Sequence, residues 1–153
     1  MTDSNQGTAD FQAIVPADKK PSVPTVTTME QWELMVKATD KASTDLVASP
    51  VVREGYMKGG HPADMGFIHL NSMTASRVKK RFPVADKHDP LFQMLYAQGK
   101  LVVGQGLVKK YEARAAGKEF DYKKWIDRRF DELFDNLDKY RERLAEIKYD
   151  EKP

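Results

Sequence analysis

The chain has 153 residues, of which 41% are hydrophobic and 31% charged, with a formal net charge of +2 and no cysteine. That length suits a single domain with a real core, and the hydrophobic share excludes wholesale disorder. The lack of cysteine excludes disulfides, thiolate catalysis and cysteine-held zinc or iron–sulfur centres, and the near-neutral total gives no global pull toward nucleic acid or an acidic membrane.

Residues 1–27 are polar and interrupted by Pro16, Pro21 and Pro24, with Phe11, Ile14 and Val15 as a small apolar cluster. Ordering costs about 1–2 kcal/mol per residue, which so few apolar side chains offset poorly, so an extended arm, flexible or wrapped on a partner, is expected. The first six residues have neither the cationic start nor the apolar run of a signal peptide, and no later run reaches a membrane span, so cytoplasmic residence is the expectation.

A helical domain is expected over 28–153. Thr27 with Glu30 and Thr28 with Gln31 fit the capping-box spacing, and Met29, Trp32, Met35 and Val36 then share one face. Ser49-Pro50 reads as a break, followed by a chain loosened by Gly55, Gly59 and Gly60. A second helix is expected from Pro62 toward Lys80, stopped at Phe82-Pro83. Asp89-Pro90 is a helix start, an N-cap carboxylate before a proline whose missing N–H costs nothing there. Gly99 is read as an end or a bend, Leu101 to Ala116 as a continuation, and Gly117 as a stop.

Asp121 is placed to cap the last helix, with Phe120 and Trp125 spaced for a hydrophobic staple. Beyond it Ile126, Phe130, Leu133, Leu137, Tyr140, Leu144 and Ile147 are separated alternately by four and three residues, a heptad seam. Trp125 and Phe134 widen it. The pattern fits either packing within the chain or contact with another chain. No strand-like alternation is long enough for a sheet, so the expected fold is all-α: a small helical bundle with an extended N-terminal arm and a long C-terminal amphipathic helix.

Candidate chemistry is thin. The run from Gly99 to Gly106 resembles a phosphate loop only superficially, because Gln105 and Gly106 stand where Lys and Ser or Thr are needed. Lys109 occupies the third-glycine place of the dinucleotide pattern, and close backbone packing or a helix junction explains the glycines better. His61, Asp64 and His69 do not converge as metal ligands, since positions 64 and 69 fall on nearly opposite sides of a helix. No serine lies in a nucleophile elbow, and the carboxylates of the last helix alternate with Lys and Arg, as a solvated face does. No cofactor is implied.

Charge is unevenly distributed. Between Arg77 and Lys124 there are twelve Lys or Arg and five Asp or Glu, and Arg77, Lys79, Lys80 and Arg81 are the densest cluster. The reading that follows is a non-catalytic helical subunit or accessory protein that assembles with itself or with a larger partner. Its seam of Trp125, Ile126, Phe130, Leu133, Leu137, Tyr140, Leu144 and Ile147 would be the interface. The alternative is a small nucleic-acid- or polyanion-binding protein using the basic 77–124 segment, with Arg77, Lys79, Lys80 and Arg81 as contacts.

Overall fold

A computed structural model describes residues 23, 25–84, 86 and 88–151. They form six α-helices and no strand: α1 Met29–Val47, α2 Pro50–Lys58, α3 Met65–Arg81, α4 Pro90–Ala115, α5 Tyr122–Asp135 and α6 Leu137–Asp150. The chain is an all-α helical bundle. The reading of an arm over 1–27 falls mostly outside the described residues, but Val26 at its end is buried, and Arg143 of α6 donates to its carbonyl at 3.3 Å.

Local chemistry sets several helix ends. Thr28 accepts from the Gln31 N–H at 3.1 Å, Asp89 from Leu91 at 2.8 Å and Asp121 from Lys124 at 3.0 Å, each satisfying an amide that has no partner within its helix. The staple forms as well, with the Phe120 and Trp125 rings 6.2 Å apart. Gly117, with φ +68°, adopts the left-handed conformation that closes α4.

α4 is the axis of the bundle and buries side chains around its whole circumference. Its glycines are points of close approach. A Cβ at Gly99 would lie 2.7 Å from Thr74 Cγ2 of α3, one at Gly104 3.3 Å from Leu46 Cδ1 of α1, and one at Gly106 2.7 Å from Ile126 Cδ1 of α5. Gly99 therefore neither ends nor bends this helix, because what it lacks is volume rather than helicity. Trp32 meets Pro90, and Asp40 meets Lys100, so α1 runs parallel to α4; Thr74 meets Gly99 and Phe82 meets Phe92, so α3 runs antiparallel to it.

Two expectations need correction. The stretch after Pro50 is helical rather than loose, because Gly55 lets the Tyr111 ring lie where a side chain would clash, at 2.1 Å from an added Cβ. The last helical stretch is two helices, α5 and α6, separated at Asn136, whose N–H bonds back to the Leu133 carbonyl in a tightened turn. The heptad pattern crosses this joint without a gap, so periodicity could not reveal it.

Candidate functional site

The seam residues lie inside this chain. Ile126, Phe130, Leu133, Leu137, Tyr140, Leu144 and Ile147 are between 0 and 7% exposed, and Trp125 is partly buried against the same core. Tyr140 meets Trp32 of α1 edge to face, Phe130 stacks on Phe134, and Phe134 reaches Phe82 at the end of α3. Their cover is internal. Burial holds the Tyr140 phenol well above its ordinary range, as a structural core tyrosine requires.

The basic cluster divides. On a helix, positions 77, 80 and 81 lie within one broad face while 79 points away from them. Arg77 turns to α5, where it pairs with Asp127 and lies over the Phe130 ring at 5.3 Å. Lys80 borders the same α3–α5 pocket, Arg81 stacks on Phe82 at 5.7 Å, and Lys79 faces α1 and α4 instead. Asp127 is also bound by Lys123 at 3.0 Å, and these two cations hold its carboxyl below the ordinary range, Lys123 first. A carboxylate that the sequence places on a self-neutralising face thus ties two helices together.

A polar groove of about 780 Å³ lies between α1 and α3 with α4 as its floor. Three helices present it with similar three-and-four spacing: Glu33, Val36, Lys37 and Asp40 from α1; Asn71, Thr74, Ala75 and Lys79 from α3; Gln93, Tyr96, Ala97 and Lys100 from α4. Residues three and four apart share a helix face, so each set is one stripe. α1 and α3 touch where Gly66 admits Val47, and the groove opens away from that contact.

The groove's polar capacity is mostly unengaged. Lys100 lies 2.6 Å from Asp40 across α1 and α4, and Asn71 donates to the Phe67 carbonyl. Among the described residues Lys37, Lys79 and Tyr96 have no side-chain hydrogen bond or ion pair. Thr74 is fully buried, and its hydroxyl has no partner either. Burying a hydroxyl unpaired costs about 1–3 kcal/mol. Sequence reasoning missed this site because its stripes are polar; its signal was a repeated three-and-four spacing of small and charged residues.

The remaining chemical pairing is Tyr56 with His69, at 2.5 Å from phenol oxygen to Nδ1. Tyr56 is 2% exposed and packed by Tyr111, and burial raises its pKa, so the phenol stays protonated and donates. Burial, Lys110 and His61 lower that of His69, so the ring stays neutral and accepts. His61 also meets the Tyr56 ring, edge to face, and no metal-holding group of three forms among the described residues. The pair ties α2 to α3. No helix of the described residues is long and apolar enough to cross a membrane. No protein-family model, curated relative or solved structure matches the chain.

Proposed function

We propose that this chain is a non-catalytic helical subunit that seats a helix of a larger partner in the groove between α1 and α3. The observation behind the reading is a groove of about 780 Å³ whose polar side chains are largely unengaged while the apolar seam is used up internally. Each stripe spans eight or nine residues, about 11 to 12 Å, and two turns of a helix about 10 Å across fill roughly this volume. Val36, Ala75 and Ala97 leave room for the partner's backbone to approach, and Tyr96 supplies an amphipathic contact. Lys37 and Lys79, on opposite walls, would receive carboxylates, so the partner helix is expected to be acidic along its flanks.

The test is site-specific photo-cross-linking from Gln93 in native extracts, compared with the Lys37→Glu, Lys79→Glu double variant. A discrete adduct with a second protein, reduced at least tenfold by the charge reversal, is expected. An adduct with a second copy of this chain would transfer the reading to self-assembly. A monomer without adducts, or an adduct indifferent to the reversal, would overturn it.

A further inference from the structure

Positive charge is concentrated on α3 and α4, and most of it lies outside the groove. Along its length α3 carries Arg77, Lys79, Lys80 and Arg81 and no carboxylate, and α4 carries Lys100, Lys109, Lys110 and Arg114 against Glu112 alone. α5 and α6 each balance their signs, and α1 is net acidic. A sum of +2 for the whole chain therefore conceals a strongly cationic pair of helices.

Folding extends that pair with Lys123 from α5. A pocket of about 460 Å³ between α3 and α5 is bordered by Ser72, Ser76, Arg77, Lys80, Lys123 and Asp127, three cations against one carboxylate. Asp127 binds both Arg77 and Lys123, fixing their positions but neutralising only one of them, and Lys80 has no ion-pair partner among the described residues. Ser72 and Ser76 are exposed and offer hydroxyl donors one helical turn apart.

From this pocket the cations continue along α4. Tyr122 is partly buried, hydrogen-bonds to Met73 of α3 and feels the Arg77 charge. Lys110 lies over the Tyr122 ring at 5.1 Å and over Tyr111 at 5.3 Å, and Arg114 lies over Tyr111 at 5.2 Å. The row is thus Lys80, Arg77, Lys123, Lys110 and Arg114, with Arg77 and Lys123 held by Asp127 and Lys110 and Arg114 held over Tyr111 and Tyr122. Lys110 and Arg114 alone are one helical turn, about 6 Å, apart, so the row is longer than one phosphate group can span. Burial and the neighbouring Arg114 push the Lys110 ammonium pKa down, a like-charge strain that an anion would relieve.

We propose that this α3–α4–α5 face binds the phosphodiester backbone of a nucleic acid. A series of cations that neighbour one another across three helices, with hydroxyl donors beside them, suits several phosphates of one strand. Tyr111 is buried and Tyr122 partly so, with their rings covered by Lys110 and Arg114, so they position cations rather than stack on bases. Binding is therefore independent of base sequence. It does not depend on the groove, which α3 lines with Thr74, Ala75 and Lys79 rather than with Arg77 and Lys80.

The experiment is fluorescence anisotropy of the full chain with labelled 30-nucleotide single-stranded DNA, the matching duplex and single-stranded RNA. Binding to at least one of them at 50 mM salt is expected. Neutralising about four phosphates of a single strand implies a loss of roughly 50-fold between 50 and 200 mM salt. The Lys80→Gln, Lys110→Gln, Lys123→Gln variant, checked for unchanged helicity by circular dichroism, should bind at least tenfold more weakly at 50 mM and show a flatter salt dependence. Lys37→Gln with Lys79→Gln should bind within twofold of wild type. No binding to any of the three at 50 mM, equal binding by the triple variant, or equal competition by polyglutamate of matched charge would each overturn the proposal; the last would assign the face to an acidic protein.

Discussion

The α5–α6 seam and the α1–α3 groove are built on the same helical spacing and reach opposite ends. In the seam, Ile126, Phe130, Leu133, Tyr140 and Ile147 have almost no exposed surface, and α1, α3 and α4 cover them. In the groove, the corresponding positions hold Glu33, Lys37, Asn71, Lys79 and Gln93, with Ala75 and Ala97 between them. An apolar stripe gains by being covered and takes whatever cover lies nearest, which here is its own chain. A polar stripe beside small residues gains nothing by collapse, so it stays open to a partner that matches its charges. Strong periodicity in this protein therefore reports how it folds, and the weaker polar periodicity marks a surface that folding leaves uncovered.

Substitutions separate the two regions. Phe130→Ala in the seam removes a fully buried ring from the meeting point of α3, α4 and α5, and should cost about 3–5 kcal/mol in urea unfolding. If the loss were below about 1 kcal/mol, the seam would not be the stabilising element. Gly55→Ala should cost about 1–3 kcal/mol, because the new methyl meets a packed Tyr111 ring that has little room to move. The same change should displace Lys110 and Arg114 from their stacked positions and weaken nucleic-acid binding.

Thr74→Val has the opposite expected sign. Replacing a buried, unpartnered hydroxyl by a methyl of similar shape should raise stability by up to about 1 kcal/mol in thermal or urea melts. If Thr74→Val also weakens the cross-link from Gln93, the hydroxyl is retained for the groove's occupant rather than for the fold.

A pH-dependent effect follows from His69. Its folded pKa is lowered, first by burial, so the unfolded chain takes up the proton more readily. The stabilising contribution is present above the unfolded value of about 6.5 and is lost as pH falls from there through the folded value. Unfolding midpoints measured from pH 7 down to 5 should decline, and the part of the decline due to His69 should be absent in His69→Gln. The smallest effect on folding belongs to the groove. Lys37→Glu with Lys79→Glu should leave stability within about 0.5 kcal/mol of wild type, since neither lysine holds a structural partner among the described residues.

The sequence by itself determined the fold class and several helix ends. Thr28, Asp89 with Pro90, Asp121 and Gly117 set ends through hydrogen bonds and backbone conformations that involve residues a few positions away, so local chemistry was enough. It also excluded a phosphate loop at Gly99, Gly104 and Gly106 but left close packing and a helix junction both open there, and the structure shows close approach. Tertiary structure decided the rest. Residues 50–58 are helical because Tyr111 packs on Gly55 from fifty-odd residues away, α4 runs through Gly99 because Thr74 and Phe130 fill that side, and the seam bends at Asn136 to stay on a core that it alone does not define. The groove and the cationic row each combine stripes from three separate helices. A single helix shows only its own charges and spacing, and whether two such stripes face one another depends on how the core orients the helices between them.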